Sequence, residues 1–296
     1  MNNERKSAAQ KVTWIGFFAN LLLMVFKLFA GIYGRSSAMI ADAIHSLSDF
    51  ATDLVVVLGI NISSKPLDLT HKYGHGKVET LATAFIGIVL FGVGIGIAYS
   101  SIMKIYSHFY VSNIVQPGML ALYAALFSIL VKEILFHYTI RIGKKIKSSV
   151  VLANAWHHRS DVFSSVGTLI GIAGAIFLGE KWVILDPIAA LVVSFFIFKV
   201  AFKIAREAIL ELIETSLPKD HEQEILKIAE NVAGVYLPHE LRTRRIGNVI
   251  AIDLHINVKS SLNVKEAHDI TVVLEDKLRH VYGEDTFISI HVEPLD

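Results

Sequence analysis

The chain contains no cysteine, and only 19% of its 296 residues are charged. The lack of cysteine excludes disulfide bonds, thiolate catalysis and cysteine-based metal sites, so histidine and carboxylates are the only good metal ligands that remain. The low charged share and the 53% of hydrophobic residues depart from the composition of soluble domains. A formal net charge of +1 does not point to nucleic-acid binding. We therefore expect most of the chain to lie in a lipid bilayer.

Apolar stretches long enough to cross about 30 Å of hydrocarbon occur six times. They lie near residues 12–33, 37–62, 79–106, 117–140, 149–178 and 183–206. The polar segment before the first stretch is interpreted as a retained tail, because the apolar run is longer than a signal-peptide core. The predicted organisation is a cytoplasmic tail at 1–11, a six-helix transmembrane domain at 12–207 and a cytoplasmic domain at 208–296.

Basic residues concentrate in the tail and in alternate loops. They are Arg5, Lys6, Lys11, Lys65, Lys72, Lys77, Arg141, Lys144, Lys145 and Lys147, whereas the other loops hold only Arg35, Lys104 and Lys181. The positive-inside rule then predicts that both termini are cytoplasmic.

After residue 206 the composition becomes that of a soluble domain. Residues 219–233 and 264–282 have helical periodicity, and residues 239–246, 248–258 and 286–293 alternate as strands. An α-β-β-α-β order predicts a small two-layer α+β domain. The predicted fold class is thus an α-helical membrane protein with six transmembrane helices, followed by this domain.

Two of the apolar stretches repeat a four-residue interval between a histidine and an aspartate. The first is His45 to Asp49 in IADAIHSLSDFATDLVV, and the second is His157 to Asp161 in NAWHHRSDVFSSVGTLI. Residues four apart lie on one face of a helix, so each pair can present a nitrogen and an oxygen to one point. Ionisable residues inside a membrane span are costly and are by default functional.

Both pairs are expected at the same depth. Asp49 and Asp161 each lie about twelve residues, or about 18 Å, from the start of their predicted span, near the middle of the bilayer. Two antiparallel helices would then supply two nitrogens and two oxygens. Four ligand atoms match the coordination number that Zn²⁺ prefers. The competing interpretation is that these side chains hydrogen-bond one another and hold the helices together.

Other polar residues near the pairs are open to structural interpretations. His158 points about 100° away from its neighbour in the second pair and is expected to face another helix or a carbonyl group. Asp42 and Asp53 share the face of the first pair, where they could line a path for an ion or form hydrogen bonds between helices. Lys132 and Glu133 are interpreted as a buried or snorkelling structural pair.

These residues resemble the cation diffusion facilitator family of divalent-metal/proton antiporters over essentially the whole chain. The resemblance rests on six spans, the two histidine–aspartate pairs, the loop motif DLTHKYGHGKVE and an α+β domain with scattered histidines. It implies a homodimer that exports Zn²⁺ or a similar ion from the cytoplasm by alternating access, coupled to proton influx. It also implies that the cytoplasmic α+β domain is ferredoxin-like and metallochaperone-like. We expect such a protein in a bacterial inner membrane, with Zn²⁺ as both cargo and regulatory ligand.

The family's transport site maps onto His45, Asp49, His157 and Asp161. Many bacterial relatives have aspartate at the position of His45, and the histidine form resembles the zinc-preferring members. The resemblance therefore favours Zn²⁺ over Fe²⁺, Mn²⁺, Cd²⁺ and Co²⁺.

A second cluster lies in the loop between spans two and three. Asp68, His71 and His75 have spacings of three and four, which could converge on a cation or could belong to solvated loop residues. The resemblance implies a second, more exposed metal site there. Lys77 and Glu214 resemble an interlocking charge pair at the membrane–cytoplasm junction of the dimer.

The soluble domain holds a third group of candidate ligands. Spacing alone predicts surface histidines, whereas the resemblance implies a two-metal site made by His239, His255, His268, His291 and Glu293. Glu293 stands where bacterial members commonly have aspartate, and its side chain is one methylene longer.

The expected mechanism is that Zn²⁺ displaces protons from the histidines of the transport site, because metal ligands must be deprotonated. A membrane-embedded zinc hydrolase would need an open metal position and a general base, and the chain lacks HExxH and GxSxG. A metal-responsive scaffold would need no buried site in the middle of the membrane.

Overall fold

The computed structural model describes residues 2–63, 68–110, 115–146 and 149–295. In chain order these residues form α1 (Asn2–Tyr33), α2 (Ser37–Ser63), α3 (Gly76–Tyr110), α4 (Met119–Ile146), α5 (Ser149–Phe177), a 3₁₀ turn (Glu180–Trp182), α6 (Leu185–Leu212), α7 (Lys219–Glu230), β1 (Tyr236–Ile246), β2 (Val249–Lys259), α8 (Val264–Tyr282) and β3 (Phe287–Leu295). Lys65 and Lys147, which contribute to the predicted orientation, lie outside the described residues.

Five segments of the described residues are long and apolar enough to cross a membrane. They are Lys11–Tyr33, Gly76–Tyr110, Met119–Lys145, Asn154–Phe177 and Glu180–Leu212. Large apolar side chains on these segments face outward, with Leu22 71% exposed and Phe195 67% exposed, as a surface in contact with lipid requires. Helix α2 is not among the five, so the sixth span stays a prediction.

Helices α2 and α5, which carry the two histidine–aspartate pairs, begin at the predicted residues, Ser37 and Ser149. Helix α6 extends beyond the predicted domain limit and ends at Leu212. The residues after Arg206 are mostly strong helix formers such as glutamate, alanine and leucine. The change in composition after residue 206 therefore does not mark the end of α6.

The chain divides into two compact units. The first consists of Met1–Leu54 and Ile86–Lys203, and the second of Val55–Phe85 and Ile204–Asp296. The core of the first unit is rich in small side chains, including the fully buried Ala30, Ala38, Ala121 and Ala124. Small residues let helices approach closely where lipid supplies no hydrophobic drive for their association.

The start of α2 is fixed by a side chain from α6. The Asp186 carboxylate accepts hydrogen bonds from the Ser36 hydroxyl at 2.5 Å and from the backbone N–H groups of Ser37 and Ala38 at 2.7 and 3.3 Å. The Ser36 hydroxyl also accepts from the N–H of Met39 at 3.1 Å. The first N–H groups of α2, which no helical carbonyl can satisfy, thus have buried acceptors.

The second unit contains a three-stranded sheet in the order β1-β2-β3. Strand β1 pairs antiparallel with β2, and β3 pairs parallel with β2 after the α8 crossover. Ile252, Leu254, Ile256 and Val258 alternate along β2 into a core that includes Leu274 and Leu278 of α8. Helix α8 starts in a capping box between Asn263 and Glu266. The predicted α-β-β-α-β order is therefore confirmed.

Replacing Asp186 with alanine should destabilise the first unit, because it leaves buried donors at the start of α2 unsatisfied. We expect the free energy of unfolding to fall by about 1–3 kcal/mol. A lower thermal midpoint of the detergent-solubilised protein, followed by circular dichroism, would report this loss. Glu180→Ala removes an exposed carboxylate nearby in the sequence and should leave the midpoint unchanged; equal midpoints for the two variants would contradict the capping role.

Candidate metal centre

Helices α2 and α5 bring three of the predicted ligands together inside the first unit. Donor atoms of His45, Asp49 and Asp161 all lie within 4.8 Å of one another. The four-residue interval places His45 and Asp49 on one face of α2, and Asp161 is buried opposite them on α5. One imidazole and two carboxylates therefore converge on a point that a single cation can occupy.

His157, the fourth predicted ligand, does not belong to this group of three. It is exposed on α5, one turn before the buried Asp161. Both residues nevertheless line one cavity of about 630 Å³, together with His45 and Asp49. The predicted four-ligand cage is thus assembled in part, with His157 on the wall of the same cavity.

Two buried atoms of the cluster have no hydrogen-bond partner among the described residues. They are Nδ1 of His45 and Oδ2 of Asp49. Buried polar atoms are normally satisfied, and an exception calls for an explanation such as a missing ion or water. The donor chemistry of the cluster fits a divalent cation of intermediate hardness, to which imidazole and carboxylate both bind.

A lysine from α4 contacts the same cluster. Nζ of Lys132 lies 2.6 Å from Oδ2 of Asp161, and both side chains are almost completely buried. The predicted pairing of Lys132 with Glu133 is wrong, because adjacent residues point about 100° apart on a helix. Glu133 instead pairs with Arg159 of α5 at 2.6 Å. Sequence spacing gave no signal for the contact between Lys132 and Asp161.

Asp42, on the same face of α2, forms contacts between helices. Nζ of Lys27 on α1 lies 2.7 Å from its carboxylate, and both side chains are buried. The hydroxyl of Ser165 on α5 donates to the same carboxylate at 3.1 Å. Of the two interpretations of Asp42, these contacts favour the structural one; the side chain of Asp53 lies outside the described residues.

His158 faces a neighbouring helix, as its angular position predicts. Its side chain is 1% exposed, and Nε2 lies against Gly16 of α1, where an added Cβ would come within 3.4 Å. Neither ring nitrogen has a hydrogen-bond partner among the described residues.

The loop cluster between α2 and α3 does form. Asp68 Oδ1 lies 3.3 Å from Nδ1 of His71, and Asp68 Oδ2 lies 3.3 Å from Nε2 of His75. The two imidazole rings are 4.2 Å apart between centroids. One carboxylate therefore faces a histidine with each oxygen, and donor atoms of all three residues lie within 4.8 Å of one another.

A turn fixes the orientation of the Asp68 carboxylate. Its Oδ1 accepts from the Thr70 hydroxyl at 2.8 Å and from the backbone N–H groups of Thr70 and His71 at 2.8 and 2.6 Å. The hydrogen bond from the Thr70 hydroxyl, with those from the two N–H groups, holds the pKa of Asp68 well below its ordinary value. The group therefore stays anionic at neutral pH and can accept a cation.

Contacts within the second unit attach this loop to the sheet. The Tyr73 ring packs edge-on against Phe287 of β3 at 5.2 Å, and the Arg244 guanidinium lies 5.7 Å from the centre of the Tyr73 ring. Gly76 lies so close to Gly247 of the β1–β2 turn that a side chain on Gly76 would overlap the backbone of that turn. Gly247 has a φ of +66°, a conformation that glycine adopts without strain.

Lys77 and Glu214 form an ion pair within one chain. Nζ of Lys77 lies 2.7 Å from Oε1 of Glu214, and both groups are partly exposed. The hydrogen bond and the charge of Lys77 lower the pKa of Glu214. Their predicted role at a dimer interface stays a prediction.

Three histidines align across the sheet of the second unit. His239 on β1 is the register partner of His255 on β2, which in turn pairs with His291 on β3. Glu293 lies two residues beyond His291 on the same face of β3. Its carboxylate is 3.3 Å from Nε2 of His239 and 3.2 Å from Nδ1 of His255. The longer side chain of Glu293 thus reaches the histidines. The imidazole and carboxylate donors of this cluster suit Zn²⁺.

The structure leaves two residues of this predicted group outside its compact part and adds another. His268 on α8 and His291 on β3 do not belong to the group formed by His239, His255 and Glu293, although the His291 ring centroid lies 4.6 Å from that of His255. Glu240, which the sequence analysis did not single out, places Oε2 3.8 Å from Nε2 of His255. Irregular pairing around His239 and a φ of +46° at Glu240 turn this side chain toward the cluster. Simple strand alternation gives no signal for such a bulge.

Residues 13–213 match the family model described as the cation efflux transmembrane domain, and residues 217–295 match that of the cation efflux protein cytoplasmic domain. The manganese efflux system protein MneP of Bacillus subtilis (strain 168) is 33% identical over 99% of this chain and 99% of its own length.

Two further relatives come from other organisms. Metal tolerance protein C1 of Arabidopsis thaliana is 35% identical over 96% of this chain and 62% of its own length. Magnetosome protein MamB of Magnetospira sp. (strain QH-2) is 29% identical over 98% of this chain and 97% of its own length.

His239, His255 and His291 form a histidine row across the sheet, with His255 at its centre. His255→Ala should therefore reduce the amount of metal that the full chain retains. We expect a lower Zn²⁺-to-protein ratio after equilibrium dialysis, measured by mass spectrometry of the metal. His280→Ala removes an exposed histidine of α8 and serves as the matched control. An unchanged ratio in His255→Ala would show that the row does not bind Zn²⁺.

Proposed function

Because the chain belongs to the cation diffusion facilitator family of metal transporters, we propose that it exports Zn²⁺ from the cytoplasm in exchange for protons. Members of this family are transporters and not enzymes, so the hydrolase hypothesis is set aside. The observation that carries the proposal is the convergence of His45, Asp49 and Asp161 within 4.8 Å in apolar helices. A scaffold that only senses metal would not need this cluster.

In the proposed cycle, the ion binds between α2 and α5 and takes His157 as its fourth ligand. The support for His157 is that it lines the same cavity as the other three residues. Two imidazoles and two carboxylates without a thiolate form a site that can both bind and release Zn²⁺. Alternating access would expose this site first to the cytoplasm and then to the outside.

Proton coupling follows from the chemistry of the ligands. A proton and a metal ion compete for the same imidazole nitrogen, because only the deprotonated ligand binds metal. Imidazole exchanges protons near neutral pH, so an acidic exterior would favour release of the ion. The same competition would return a protonated site to the cytoplasmic side.

Mn²⁺ is the alternative cargo, since one relative is named as a manganese efflux protein. The nitrogen ligand at His45 favours Zn²⁺, whereas Mn²⁺ prefers oxygen ligands. The identity of residue 45 is thus the feature on which the choice of metal depends.

We further propose a homodimer in a bacterial inner membrane with both termini in the cytoplasm. Its transmembrane domain would cover residues 12–207 and its regulatory domain residues 208–296. The loop cluster and the histidine row would bind cytoplasmic Zn²⁺ as regulatory sites, and the pair between Lys77 and Glu214 would lie near the dimer junction. Both clusters are at least partly exposed, which supports this role.

Asp49→Ala tests the transport site directly. Purified protein in liposomes with an acidic lumen should accumulate Zn²⁺, whereas the variant should show only the uptake of protein-free liposomes. The loss is expected because the variant removes one of two carboxylates that neutralise the dication. Glu180→Ala, which removes an exposed carboxylate, should transport normally; unchanged uptake by Asp49→Ala would refute the assignment.

His45→Asp tests the choice of metal. Replacing a nitrogen ligand by an oxygen ligand should lower the ratio of Zn²⁺ to Mn²⁺ uptake in the same liposomes. His108→Asp makes the same exchange at the end of α3, outside the cavity lining, and should leave the ratio unchanged. A ratio that is the same in both variants would argue against His45 as the selective ligand.

A further inference from the structure

Lys132 contacts the metal cluster and has no part in the proposed transport chemistry. Its ammonium lies 2.6 Å from Asp161 Oδ2, and its side chain is 3% exposed. Asp161 is also a member of the group whose donor atoms lie within 4.8 Å. One carboxylate must therefore serve both a lysine and a metal ion.

A structural link between α4 and α5 already exists beside this contact. Arg159 on α5 donates to Glu133 on α4 at 2.6 Å, and neither residue belongs to the metal cluster. Arg159 also lies 4.8 Å from the centre of the Phe136 ring on α4. A purely structural pairing of the two helices would thus not require an aspartate of the metal cluster.

The charge of Lys132 changes the balance between the empty and the loaded site. With neutral imidazoles, the carboxylates of Asp49 and Asp161 carry two negative charges, which a bound dication would neutralise completely. Lys132 leaves the empty site with one net negative charge and the loaded site with one net positive charge. In a buried environment, where unit charges interact strongly, this shift stabilises the empty site relative to the loaded one.

From this geometry we infer that Lys132 is a resident counter-cation of the transport site, which lowers metal affinity so that the ion can be released. The inference rests on the proposed transport function. The lysine ammonium is a compact point charge that holds one oxygen of Asp161, so the other oxygen stays available for the metal. Lys132 thereby acts on the bound ion through Asp161 and sets how long the ion stays.

The test separates affinity from turnover in the liposome assay with Zn²⁺. Lys132→Met keeps the length of the side chain and removes its charge; we expect KM to fall roughly tenfold or more, and kcat to fall because release becomes slow. Lys145→Met is the matched control, because Lys145 is an exposed lysine in the last turn of the same helix and does not line the cavity. Its KM should be unchanged.

Lys132→Arg retains the positive charge but can hold both oxygens of Asp161, so its KM should equal or exceed that of the parent. A structural role alone predicts a lower thermal midpoint for Lys132→Met with an unchanged or higher KM, and that result would overturn the inference. If Lys132→Met does not fold, a KM below the parent value in Lys132→Arg overturns it. Unchanged uptake by Asp49→Ala would instead refute the transport site itself.

Discussion

The structure depends on the compensation of carboxylates that are buried among apolar helices. An uncompensated charge in such a place costs several kcal/mol, so each buried aspartate needs a partner from another element. Asp42 forms an ion pair with Lys27, and Asp161 forms one with Lys132. Asp186 accepts hydrogen bonds from the N–H groups at the start of α2. Each of these pairings joins two helices. In Asp49, by contrast, Oδ2 is buried without a hydrogen-bond partner among the described residues, as expected of a ligand in the proposed transport site.

The same constraint fixes the position of the candidate metal ligands on α2. Asp186 determines where α2 begins, and this start sets the depth of His45 and Asp49 along the helix. Close packing of alanines from α1, α2 and α4 leaves little freedom for α2 to slide. In the second unit, the row of histidines depends on strand register in the same way, because a slip of one residue would turn His255 to the opposite face.

The sequence alone predicts those features that depend on local periodicity. Helix α8, the three strands and the interval between His45 and Asp49 are all visible as patterns with periods of 3.6 or 2. The contact between Lys132 and Asp161 is not visible in the sequence, because it depends on how α4 packs against α5. The position of Glu240 beside His255 is not visible either, because a bulge breaks strand alternation. The exposed position of His157 follows from side-chain packing, which the four-residue interval does not encode.

The two kinds of metal cluster differ in what surrounds their carboxylates. Asp161 contacts a lysine ammonium, whereas Glu293 contacts the imidazoles of His239, His255 and His291. A transport site must release its ion in every cycle, and a fixed positive charge beside a ligand promotes release. A regulatory site need only respond to the metal concentration, so preformed ligands on a rigid sheet suffice. The charge next to a metal ligand, rather than the type of ligand, would then distinguish the transport site from the regulatory site.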